Sequence, residues 1–179
     1  MPKNSPISIL GIDPGTTHSA FVVMIGERLV DKGWPLNEDL YEYLSEGQRF
    51  HMVQVMVNEW MQYRGMPMGS DVLETCGWIG RFEAKFIGDG DLSRCHRITN
   101  EKIRSIICHD SRAKESYIRA ALYELHGGSR RAAVGTKKEP GPLYGIKGHM
   151  WSALAVAISY REEMRLIKAI WQPISAPKS

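Results

Sequence analysis

The chain has 179 residues, 43% of them hydrophobic and 24% charged, with a formal net charge of +3. That composition fits one domain around a single core, here expected over 1–171 with a short C-terminal tail at 172–179, and no apolar run approaches the roughly 18 residues a membrane span needs. The opening Met1-Pro2-Lys3-Asn4-Ser5-Pro6 lacks the apolar stretch of a secretory signal, and Cys76, Cys95 and Cys108 are odd in number with no paired spacing. They read as reduced thiols of a cytoplasmic protein, not as a disulfide framework or a zinc site. The charge is unevenly spread. Residues 94–138 carry eleven Lys or Arg against four acids, so the rest of the chain is net negative. A basic segment of this kind is either a solvated face or the footprint of a polyanion.

In chain order, Ile7 to Ile12 is an apolar, β-rich run that ends on Asp13-Pro14-Gly15, and reads as a buried central strand stopped by a turn. Ala20 to Met24 is a second strand, and Ile25-Gly26-Glu27 connects it tightly to a third at 28–34, giving an antiparallel meander. Phe50, Val53, Val57, Trp60 and Met61 recur at helical spacing, which predicts an amphipathic helix over 48–63. Its apolar side, with Met52, Val55, Met56, Val57 and Trp60, is wide enough to serve both a core and a partner subunit. Val72-Leu73 predicts a short strand leading into Glu74. The stretch 98–107 is mixed, readable as strand or short helix. Residues 112–126 predict a helix capped by Ser111 and closed by Gly127-Gly128. Residues 127–148, rich in Gly, Pro, Lys and Arg, read as a mobile loop, and 149–171 as a last helix. A meander, then alternating helix and strand, then a closing helix, makes a mixed sheet flanked by helices.

Three polar points stand out. Asp13 ends the first strand, where a carboxylate projects from the sheet rim. Glu74 follows an apolar pair in the same way. His149 opens the last helix, with Ser152 one turn on and the small-residue run Ala153-Leu154-Ala155-Val156-Ala157-Ile158 behind it. Each has a plainer reading: a common turn sequence, a surface ion pair with Arg81, a helix-terminal histidine bonded to solvent. If the two strands are neighbours, however, the carboxylates face each other and repel unless a cation lies between them, and hard oxygen donors suit Mg²⁺ or Mn²⁺.

The order of these motifs resembles the RuvC family of Holliday-junction resolvases, its bacteriophage members included. Ile9-Leu10-Gly11-Ile12-Asp13-Pro14-Gly15 resembles the family's opening strand and first catalytic Asp, Val72-Leu73-Glu74 its strand-end Glu, and 153–158 its final helix. Ile103-Arg104-Ser105-Ile106-Ile107 and Ser111-Arg112-Ala113-Lys114-Glu115 resemble its DNA-contacting segments, so that the likeness spans about 7–160. It implies an α/β ribonuclease H-like fold and a structure-selective endonuclease that cuts branched DNA by two-metal phosphodiester hydrolysis. Asp13, Glu74 and His149 would hold Mg²⁺ (Mn²⁺ substituting), with Ser152 beside them. Trp78, Arg104, Arg112, Lys114, Lys137 and Lys138 would contact DNA, Trp78 by stacking on an unpaired base. A homodimer would suit a substrate with two equivalent strands to cut. The chain departs from the family at Ser152, where an acid is usual; Asp71, Glu83, Asp89 or Asp91 are alternative suppliers. Two other readings share these residues. Gly11 to Ser19 also resembles the phosphate hairpin of sugar-kinase and actin-type ATPases, although those need a second such domain. A non-catalytic branched-DNA-binding module would keep the basic segment but leave the acids unexplained.

Overall fold

A computed structural model of the chain describes residues 6–46, 52–62, 65, 67–88 and 90–170. The elements run β1 (Ser8–Asp13), β2 (Ala20–Ile25), β3 (Arg28–Gly33), α1 (Asn37–Glu46), β4 (Val55–Trp60), α2 (Ser70–Ile87), β5 (Cys95–Thr99), α3 (Asn100–Cys108), α4 (Glu115–Leu125), α5 (Arg130–Val134) and α6 (Met150–Ile170). Five strands form one mixed sheet in the order β3-β2-β1-β4-β5. β1, β2 and β3 pair antiparallel, whereas β4 lies parallel to both β1 and β5. Among the described residues no helix is long and apolar enough to cross a membrane.

Alternation along the strands feeds two cores. Ile9, Val22, Met24, Val55 and Val57 pack with α6 and with Ile103, Ile118 and Leu122 of α3 and α4. Leu10, Ile12, Phe21, Val23 and Met56 face the other way, onto Leu40 and Leu44 of α1 and Trp78 and Phe82 of α2. A strand buried on both faces reads as an unbroken apolar run. That is why the helix expected over 48–63 is not there: Val55-Met56-Val57 belong to β4, beside the central strand. Of the wide apolar side expected to serve both a core and a partner subunit, Val55, Met56 and Val57 are buried in the sheet, Trp60 is half-buried and Met52 is exposed. The part of that expected helix at 48–51 lies outside the described residues, as does the tail at 172–179.

Three more expectations change. The strand expected at Val72-Leu73 is the first turn of α2. Its helical signal is Thr75, Trp78, Ile79, Phe82 and Glu83, all buried at three- and four-residue spacing, while Gly77 and Gly80 fall on the exposed side. The stretch at 112–126 becomes helical only at Glu115, with Lys114 rather than Ser111 in the cap position and no side-chain cap bond. The segment 127–148 is not an unanchored loop. It contains α5, capped by the Ser129 hydroxyl, and a Gly135–Pro140 bridge, and it buries Ala133, Leu143 and Ile146 in the α6-side core. α1 had no counterpart in the sequence reading.

A close approach between β1 and α6 sets where the two meet. A Cβ on Gly11 of β1 would lie 2.5 Å from the Ala153 carbonyl and 2.8 Å from the Ala157 Cβ. Only glycine on the strand and alanine on the helix let α6 seat so low on the sheet. Gly11→Ala is expected to destabilise the fold by at least about 1–3 kcal/mol by overpacking, and to lift the head of α6 off the sheet. A denaturant titration reads the first effect; a crystal structure of the variant, showing the separation of α6 from β1, reads the second.

Candidate active site at the sheet rim

Asp13 is the last residue of β1, and Ile12 pairs with Asn58 across the parallel β1–β4 ladder. Asp13 and Glu59 therefore stand side by side, one position beyond the last paired residues. By strand alternation they project on the same face as Gly11 and Val57, toward α6. Both line one cleft of about 160 Å³, with Pro14, Trp60, Met61, Gln62 and Asn100. The acid opposite Asp13 is thus Glu59, which the sequence reading passed over. Glu74, expected in that place, is exposed on α2, the helix on the opposite face of the sheet. The signal for Glu59 was present: Val55-Met56-Val57-Asn58-Glu59 is an apolar strand ending on an acid, hidden by its reading as a helix.

The electrostatics of the pair are unfavourable as they stand. Burial pushes the Asp13 carboxyl up from its ordinary range, against the lowering effects of the His149 hydrogen bond and charge and a hydrogen bond from Ser152. Burial likewise pushes Glu59 up, the Asp13 charge adds to it, and a hydrogen bond from Asn100 and the charge of Arg104 oppose it. The Asn100 amide donates to Glu59 Oε1 at 2.8 Å.

The His149 Nδ1 lies 2.9 Å from Asp13 Oδ2, with the imidazole 60% exposed and the carboxylate 14%. An ionised carboxylate only accepts, so Nδ1 is the donor in this pair and Nε2 is the nitrogen left without a contact to Asp13. His149 sits in the turn directly before α6, and its carbonyl accepts from the Ser152 and Ala153 amides. Asp13, His149 and Ser152 are thus brought together as expected. Among the described residues, no three His, Cys, Asp or Glu side chains form a ready-made cage for a metal.

A buried amide holds the turn after Asp13. Asn37, fully buried, donates through Nδ2 to the Gly15 and Thr16 carbonyls at 3.0 Å each and accepts from the Ser19 hydroxyl at 2.6 Å. Its own backbone amide donates to the Thr17 carbonyl at 2.9 Å. Asn37→Ala strands those partners, and a loss of about 2–3 kcal/mol in unfolding free energy is expected by urea denaturation.

The other expected residues divide. Arg104 on α3 lines a second cavity of about 80 Å³ with Glu59, Asn100, Glu115 and Ser152, and its Nε is buried without a hydrogen-bond partner among the described residues. Arg112, Lys114, Lys137 and Lys138 are exposed. Trp78 is not available to stack on a base: it is 8% exposed, stacked on Phe82 at 5.6 Å and covered by Arg81. Of the acids considered in place of one at Ser152, Glu83 is buried and held by both Arg97 nitrogens and by Asn58, and Asp91 caps the turn at Leu92–Arg94. Asp71 is exposed at the head of α2, and Asp89 lies outside the described residues. The acid that joins Glu59 on the cavity beside Ser152 is Glu115, the first residue of α4, whose charge also reaches Asp13. It pairs with Arg119 at 2.6 Å.

No protein-family model and no curated protein sequence matches the chain. Solved structures do. The Thermus thermophilus RuvC structure superposes with a TM-score of 0.63 at 16% identity, covering 89% of this chain and 96% of that one. T. thermophilus RuvC in complex with Holliday junction substrate superposes with a TM-score of 0.64 at 14% identity, with the same coverage. The fold is RuvC-like. The expected ribonuclease H-like architecture, a mixed sheet flanked by helices, is therefore the one found. Within this RuvC-like frame Asp13, Glu59 and His149 come from a central strand, its parallel neighbour and the head of the last helix.

Proposed function

We propose that the chain is a divalent-metal-dependent endonuclease for branched DNA, with the four-way junction as its foremost substrate. One observation carries the reading: two partly buried carboxylates, Asp13 and Glu59, stand side by side on adjacent parallel strands, each held above its ordinary pKa by burial. Two ionised acids side by side repel, a divalent cation between them relieves that repulsion, and two carboxylates with an imidazole suit Mg²⁺ or Mn²⁺. The junction-bound neighbour of the same fold directs the choice of substrate.

Asp13, Glu59 and His149 would hold the metal, with Glu115 the nearest further carboxylate to Ser152. When bound, divalent ions supply a hydroxide at neutral pH and neutralise charge on the phosphate and the leaving oxygen. The chain's own groups do the rest. Asp13 fixes the proton of His149 on Nδ1, leaving Nε2 able to take a proton or a cation. Asn100 holds Glu59 in place, and the Ser152 hydroxyl supports Asp13. Arg104 opens on the cavity next to Glu59, where a guanidinium can pair with a phosphate oxygen. Arg112, Lys114, Lys137 and Lys138 would neutralise backbone phosphates away from the scissile bond, which gives affinity without sequence information. A homodimer belongs to this proposal because a junction presents two equivalent strands.

The test is a synthetic four-way junction and a linear duplex of the same sequences, each incubated with the protein and Mg²⁺, Mn²⁺ or EDTA. Paired nicks in the junction only, dependent on the cation, are expected. Tight junction binding without cutting in either metal would favour a non-catalytic DNA-binding module.

A further inference from the structure

We infer that Trp34 is a positioning residue, whose indole holds the His149 imidazole so that Nδ1 stays on Asp13. The inference rests on the site proposed above. Trp34 follows directly on β3 and is 44% exposed, so its ring is not consumed by either core. Its neighbours are instead the parts of the site. The indole lies against the His149 ring at 4.8 Å between centroids and 51° between planes. It meets the His18 ring edge-on at 6.3 Å, in the turn that follows Asp13. It also covers Gly148, the residue before His149: that glycine has φ +50°, and a Cβ on it would lie 3.0 Å from the indole Cζ3.

Three separate pieces of chain thus converge on one side chain: the end of β3, the turn after β1 and the entry to α6. The imidazole needs such a support. It is 60% exposed, and its side chain makes one hydrogen bond among the described residues, 2.9 Å to Asp13, which by itself does little to fix rotation about the side-chain bonds. A ring packed across one face removes the alternative rotamers and keeps Nε2 as the nitrogen presented away from Asp13. The glycine at 148 lets the indole sit this low, and its left-handed backbone turns His149 under the ring.

The experiment is a double-mutant cycle with a spectroscopic arm. Trp34→Ala and Trp34→Phe are made in the wild-type and His149→Ala backgrounds, with circular dichroism checking that each folds. Junction cutting by Trp34→Ala is expected to fall by about tenfold to a hundredfold in kcat, with KM within about twofold, and Trp34→Phe to recover most of it. In the His149→Ala background, removing Trp34 is expected to cost nothing further. Independently of cutting, nitrogen shifts of ¹⁵N-histidine-labelled, metal-free protein should report His149 protonated on Nδ1 in the wild type and averaged between tautomers in Trp34→Ala. An unchanged tautomer in Trp34→Ala, or an equal loss of kcat in both backgrounds, overturns the inference. Should the wild type cut no DNA, the functional proposal fails, and the nitrogen shifts still decide the role of Trp34.

Discussion

Glu59→Gln is expected to lower junction cutting by about a thousandfold or more, equivalent to about 4 kcal/mol of lost transition-state stabilisation. Glu74→Gln is expected to cut within about twofold of wild type, as a surface substitution remote from the reacting groups. The contrast follows from the sheet. Glu59 shares the rim cleft with Asp13 and is fixed by Asn100, whereas Glu74 is solvent-exposed on α2. The glutamine at position 59 keeps the shape and the ability to accept from Asn100, but it carries no charge for a cation. Single-turnover cleavage of a labelled junction at saturating protein separates this loss from weakened DNA binding. Equal losses in both variants would mean that Glu59 is not singled out by its place beside Asp13.

The second large effect is on stability and runs opposite to the usual cost of mutation. Asp13→Asn is expected to melt at a higher temperature than the wild type in EDTA at neutral pH, while losing cleavage altogether. Burial raises the Asp13 and Glu59 carboxyls above their ordinary range in the folded chain. Between the unfolded value of about 4 and the raised folded value, the folded protein binds more protons than the unfolded chain. Stability from these groups is therefore greatest at low pH and declines as pH rises through that window. Asp13→Asn removes one of the two acids and, with it, the charge that raises Glu59. Its advantage over wild type should accordingly grow from about pH 4 upward and then level off. Mg²⁺ or Mn²⁺ should close the gap by stabilising the wild type and leaving the variant nearly unmoved. Melting curves from pH 4 to 8, with EDTA and with each metal, measure all three trends. A wild type indifferent to both metals would count against the cation.

The sequence made most of the frame legible where periodicity was unambiguous. β1, β2 and the first half of α6 carry near-continuous apolar runs, β3 follows β2 through a tight glycine turn, and the limits of all four fall within a residue or two of expectation. What failed was the middle. β4 is buried on both faces, so Val53, Val57, Trp60 and Met61 mimic a helical stripe although consecutive residues feed opposite cores. α2 was obscured by Gly77 and Gly80, which weaken a helix but lie on its exposed side, where no packing depends on them. Two misread periods, β4 as a helix and α2 as a strand, thus drew attention from Glu59 to Glu74 and turned a core tryptophan, Trp78, into a candidate DNA contact. The meeting of Asp13 and His149 was legible because each sits at the end of an element whose type was clear. Trp34 and Asn37 carried no signal in one dimension; their partners lie up to 115 residues away and meet only in the fold.

Diffraction from crystals soaked in Mn²⁺, with data at the manganese edge, addresses the site itself. An anomalous peak is expected between the Asp13 and Glu59 carboxylates, about 2 Å from an oxygen of each, with the His149 ring at its margin. A protein that takes up manganese elsewhere and leaves those two carboxylates facing only solvent would contradict it.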